Sequence, residues 1–71
     1  MKNIDFENIG MRVKSIRTRK KLTQDQLAEM IESDRAVIGR IEAGKTCSID
    51  YLIKIANALE VSIDSLVIDC L

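Results

Sequence analysis

The sequence has 71 residues, with no proline, histidine or tryptophan, three glycines, and one phenylalanine and one tyrosine as its whole aromatic content. Without proline and with little glycine, collagen-like, linker-rich and disordered classes are excluded and an all-helical domain is favoured. The two cysteines, Cys47 and Cys70, are far apart and form no C-x-x-C pair. With no histidine beside them, they can complete neither a zinc ligand set nor a cysteine–histidine nucleophile. They read as reduced thiols of a cytosolic protein, a cross-chain disulfide through Cys70 being the alternative. Nothing approaches the run of roughly 18 apolar residues that spans a membrane, and the N-terminus lacks an apolar signal region. A soluble, cytoplasmic chain with no metal and no cofactor is the expectation.

What is present is aliphatic and charged: 46% hydrophobic and 31% charged residues. A chain this short folds once, around one small core, so residues 1–71 are expected to form a single domain. Conformational entropy, at roughly 1.5 kcal/mol per ordered residue, nearly cancels what such a core supplies. Near-ideal local signals or self-association must supply the rest. Eleven basic residues balance eleven acidic ones, which at first sight disfavours nucleic acid as a partner. The balance is a cancellation. Residues 1–46 carry ten basic against seven acidic groups, and residues 47–71 carry one against four. Arg12, Lys14, Arg17, Arg19, Lys20 and Lys21 stand together with no acid among them. Local field, rather than the sum, selects a partner.

Helix signals fill the chain. Phe6, Ile9, Val13 and Ile16 recur at three- and four-residue spacing, with Asp5 or Asn3 as N-cap, and predict a first helix to about Arg19 or Lys20 whose basic residues lie mainly on the solvent side. Thr23 and Gln26 form a capping box, with Leu22 able to staple onto Leu27, so a second helix starts at Gln24 and ends near Ile31. After a short break, Asp34 caps a third helix that turns Ile38 and Ile41 inward and stops at Gly44. Two helices joined so closely cross steeply, the helix-turn-helix geometry. Ser48 caps a fourth helix carrying Leu52, Ile55, Ala56 and Leu59. Ser62 is the expected cap of a fifth, with Val61 stapled onto Leu66.

The run Ile9 to Arg17, then Leu22-Thr23-Gln24 with Leu27-Ala28, then Ile38-Gly39-Arg40-Ile41-Glu42-Ala43-Gly44-Lys45, then Leu52 to Leu59 with Val61-Ser62-Ile63-Asp64, resembles the Cro and lambda-repressor-like (XRE) helix-turn-helix family in order and spacing. The likeness spans about residues 9–67. It implies a five-helix, all-α DNA-binding domain with the helix-turn-helix at helices 2 and 3, and helix 3 in the major groove of double-stranded DNA. On that register Arg35, Ala36, Val37, Gly39 and Arg40 face base edges. The arginine forks match guanine O6 and N7, worth roughly 1–3 kcal/mol of discrimination each. Ala36 and Val37 can touch thymine methyls, although Val37 suits helix packing equally. Gly39 costs a helix interior roughly 1 kcal/mol relative to alanine, which suggests a close approach by DNA or by another helix.

The family also grips phosphates through the residue matching Gln24, at the positive end of helix 2, and after the recognition helix, at Lys45 and Thr46. Arg17 and Glu42 resemble its ion pair between helices 1 and 3, which can leave one guanidinium face for a phosphate. This chain departs from the family at Lys21, Glu32 and Glu60, where glycine is usual, and at Ser33, where an apolar residue is usual. Non-glycine residues there must turn left-handed at a cost or change the turn.

Apolar residues exceed what one small core needs. Tyr51, Ile63, Val67, Ile68 and Leu71 are the expected homodimer face, in the acidic half and away from DNA. Catalysis is not expected: there is no glycine-rich phosphate loop and no nucleophile–base set. The rival to an operator-binding regulator is an antitoxin or regulator of the same fold whose main partner is another protein. The resemblance further implies a stand-alone regulator of the kind carried by phages, mobile elements and restriction–modification systems.

Overall fold

The computed structural model describes residues 4–67. They form five helices, α1 (Phe6–Arg19), α2 (Gln24–Met30), α3 (Arg35–Glu42), α4 (Ile49–Leu59) and α5 (Asp64–Val67). Each of the first four starts where a side chain takes over a free backbone donor. Asp5 accepts from the Asn8 amide, Thr23 from Gln26, Asp34 from Val37 and Ser48 from Tyr51. The capping box at α2 is complete, the Gln26 carboxamide accepting the Thr23 N–H at 2.8 Å while Thr23 Oγ1 accepts the Gln26 N–H at 3.0 Å. Two of the four orphan donors at that helix end are thereby satisfied.

The fifth helix departs from expectation. Ser62 caps no backbone amide; its hydroxyl meets that of Ser65 at 3.3 Å, and the Ser65 N–H bonds the Ser62 carbonyl instead. With Leu66 bonding back to Ile63 in the same way, α5 opens on a tight three-residue turn.

All four longer helices end alike. After α1, Lys21 N–H bonds the Thr18 carbonyl and Leu22 N–H bonds Arg17; after α2, Glu32 bonds Glu29 and Ser33 bonds Ala28; after α3, Gly44 bonds Ile41 and Lys45 bonds Arg40; after α4, Glu60 bonds Asn57 and Val61 bonds Ala56. This is the paired Schellman closure, which demands one left-handed residue. Gly44 supplies it at φ 93°, whereas Lys21, Glu32 and Glu60 adopt φ 61°, 56° and 59° with a full side chain. The turns are therefore kept and the strain is accepted. A left-handed non-glycine costs roughly 1–2 kcal/mol, and glycine returns part of that gain as unfolded-state entropy. Glu32→Gly should stabilise by roughly 0.5–1 kcal/mol and raise the melting temperature by about 4 °C. An unchanged or lower value in thermal denaturation would contradict the strain.

Ile9, Val13, Ile16, Leu27, Ala28, Ile31, Ile38, Ile41, Leu52, Ile55, Ala56, Leu59 and Leu66 make one buried cluster. Ile38 is fully buried without an apolar partner at Ser33. α3 packs against both α1 and α2, while α5 closes on α1. Among the described residues no helix is long and apolar enough to cross a membrane.

Candidate nucleic-acid interface

α3 has two faces of opposite character. Ile38 and Ile41 are buried, while Arg35, Ala36 and Arg40 are exposed and Gly39 partly so. Val37 lies between, half-buried and packed on the core. It serves packing and still shows an edge outward. Among the described residues no atom outside α3 lies within 4 Å of where a Gly39 Cβ would stand. Of the two approaches expected at that glycine, the one by another helix is made by none of the described helices.

Beneath this face sits a side-chain relay. Arg17 donates from Nε to Glu42 Oε2 at 2.6 Å and from Nη2 to Glu42 Oε1 at 3.1 Å. The two side chains are 9% and 4% exposed, so the pair is close to fully desolvated. The remaining Arg17 nitrogen, Nη1, donates to the Leu22 carbonyl at 2.6 Å, tying α1 to the entry of α2. Gln24 then donates from Nε2 to Glu42 Oε1 at 3.1 Å, and its own carbonyl oxygen accepts from Arg35 Nε at 3.5 Å. Glu42 fixes which way the carboxamide points, and that presents an acceptor to Arg35. Arg35 is thereby steadied through Nε, leaving its outer guanidinium nitrogens for a ligand. Among the described residues no buried side-chain polar atom lacks a partner.

Two of the expected phosphate contacts, Arg17 and Gln24, have partners within the protein. Arg17 is the exception to the solvent-facing basic residues of α1: it is buried, with all three nitrogens engaged inside the protein. Gln24 is held by Glu42 and Arg35 rather than projecting freely. Lys45 and Thr46 are exposed in the loop after α3. The link from Gln24 to Glu42 was not legible beforehand, because it joins residues 18 apart in sequence through side chains alone.

The expected association residues separate. Tyr51 is half-buried and shares a cleft of about 160 Å³ with Val37, Arg40, Ile41, Thr46, Cys47 and Ser48, and Lys54 Nζ lies 5.9 Å from its ring centroid. It therefore lies beside α3. Val67 instead lines an apolar groove of about 250 Å³ with Ile4, Phe6, Ile9, Cys47, Ile49 and Leu52. Ile63 is half-buried against the core, and Ile68, Cys70 and Leu71 lie outside the described residues. The exposed aliphatics of α4 are Ile49 at 59% and Ile53 at 46%, one turn apart, a spacing that marks a stripe. Burial raises the pKa of the Cys47 thiol, which stays protonated at neutral pH and is a poor nucleophile.

The helix-turn-helix family HTH_3 matches residues 13–66. No curated protein sequence matches the chain. Among solved structures, the restriction–modification controller protein C.AhdI from Aeromonas hydrophila is 32% identical, with a TM-score of 0.82 over 86% of this chain and 94% of that one. SinR, a master regulator for biofilm formation solved in complex with DNA, is also 32% identical, with a TM-score of 0.76 over 82% of this chain and 95% of its own. The P22 c2 repressor, solved with a synthetic operator, is 26% identical at a TM-score of 0.78, covering 84% and 92%. Family and fold are those of DNA-binding transcriptional regulators, not of enzymes. With its outward-facing third helix held by the Arg17–Glu42 pair, the chain belongs to the Cro/C1-type (XRE) helix-turn-helix family.

Proposed function

We propose that this protein is a sequence-specific, operator-binding regulator that acts as a homodimer on an approximate inverted repeat. The observation that carries the reading is the outward face of α3, where Arg35, Ala36, Gly39 and Arg40 stand free of the core. Arg35 and Arg40 read guanine edges, and Lys45 and Thr46 hold a phosphate. The backbone amides at the start of α2, beside Gln24, offer a second phosphate contact, and Arg17 contributes by holding the frame. Pairing through Ile49, Ile53 and Val67 would bury apolar surface in the acidic half and set two recognition helices roughly 34 Å apart.

Selection from a random duplex pool should return a half-site repeated in inverted orientation. Affinity for the selected duplex should fall linearly with salt on logarithmic axes. Arg35→Ala or Arg40→Ala should cost about 10- to 100-fold on that duplex and relax one base position each. Lys45→Ala should weaken all duplexes alike and reduce the salt slope by about one. A strictly monomeric protein at tens of micromolar would overturn the dimer. The apolar groove beside α4 supports a second reading, a regulator held by another protein; absence of any salt-dependent duplex binding would favour it.

A further inference from the structure

The chain has three glycines, and the fold accounts for two. A side chain at Gly10 would strike the Ile41 carbonyl, and Gly44 has φ 93° with Glu7 against it. Gly39 has neither reason. It sits inside α3 with no positive φ, and among the described residues its missing Cβ would meet no atom of another element within 4 Å. Going round the helix, Arg35, Gly39, Ala36 and Arg40 follow one another at about 40–60° intervals. The two smallest side chains therefore lie between the two long cations.

Resting on the reading of α3 as the recognition helix, we propose that Gly39 and Ala36 form a shallow seat for the C5-methyl of one thymine, flanked by the bases that Arg35 and Arg40 read. A depression lined by a methyl group and bare backbone offers no hydrogen bond, so it cannot recognise a donor or acceptor. The one apolar group on the major-groove floor is the thymine methyl. Gly39 acts here as a specificity-determining residue by leaving room, and the absence of a side chain lets the helix approach the base.

The test is a bump-and-hole cycle. A duplex is selected from a random pool with the wild-type chain, and each thymine of its half-site is replaced in turn by deoxyuridine, which removes only the methyl. At one position wild-type affinity should fall about fourfold, the share of one buried methyl group. Gly39→Ala should melt about 4 °C higher than wild type, because alanine favours the helix interior. It should bind the thymine duplex about tenfold more weakly. On the deoxyuridine duplex its deficit should shrink to within about twofold, the protein's new methyl filling the space the base gave up. On an unselected duplex the two proteins should bind alike, since the phosphate contacts are untouched. Equal binding of the thymine duplex by variant and wild type, or an equal deficit on both duplexes, would overturn the seat while leaving operator binding intact. Failure of the wild-type chain to enrich any duplex would overturn the DNA reading, and the seat with it.

Discussion

Replacing Glu42 by alanine is expected to remove about 3–5 kcal/mol of stability, enough to leave a domain this small largely unfolded at 37 °C. The size follows from what would be stranded. Arg17 is 9% exposed at its side chain and directs Nε and Nη2 at the two Glu42 oxygens. Without the carboxylate it becomes a buried charge holding only the Leu22 carbonyl. Gln24 loses the acceptor that orients its carboxamide. An exposed pair, worth roughly 0–1 kcal/mol, is the wrong comparison at this burial. The position offsets a small part of this, since Glu42 is the last residue of α3, where the helix dipole disfavours an anion and removing it returns roughly a few tenths of a kcal/mol.

Glu42→Gln keeps one acceptor but turns an NH2 group towards the guanidinium, and should cost about 2–3 kcal/mol. Urea denaturation measures both variants. The double replacement Arg17→Met with Glu42→Met should recover part of the loss, because no charge is then left unpaired. Glu42→Ala within about 1 kcal/mol of wild type would show that the pair contributes no more than a surface one. The same variant, examined on DNA at a temperature where it stays folded, should bind more weakly, because Arg35 is steadied through Gln24 and Glu42.

How far these features could be read beforehand depends on the range over which each is determined. Asp5, Thr23, Asp34 and Ser48 mark their helix starts because a cap acts within three residues. The left-handed turns at Lys21, Glu32 and Glu60 were foreseeable through the family's glycines at those places, since nothing in lysine or glutamate favours positive φ. Ser62 carries the same cap signal as Ser48, but the tight turn at Ile63 and the Ser65 hydroxyl take its place. Side-chain direction was less legible. The apolar surplus of α4 was visible, yet the residues that face outward are Ile49 and Ile53, while Tyr51 packs beside Arg40 and Thr46. Gln24 was legible as a helix start and illegible as the middle of a relay, because its partners come from the end and the beginning of α3.

Gly10 left no signal in the sequence, and its replacement carries the other large effect: Gly10→Ala is expected to destabilise by about 3 kcal/mol and lower the melting temperature by 10 °C or more, roughly. In an exposed helix interior the change would stabilise by up to about 1 kcal/mol. Here α1 passes so close to the end of α3 that the added Cβ would overlap the Ile41 carbonyl oxygen and stand 3.0 Å from that of Glu42. Both obstacles are backbone atoms, which cannot rotate aside as a flexible side chain can. α1 and α3 must therefore move apart, and the movement is resisted at the Arg17–Glu42 contact, held at 2.6 Å between the same two helices. Overpacking alone costs about 1–3 kcal/mol, and stretching that pair adds to it. Gly10→Ala and Gly39→Ala are the same substitution in two helices of one chain, with opposite expected signs in thermal denaturation. Gly10→Ala melting at or above wild type would show that α1 and α3 are not in this contact.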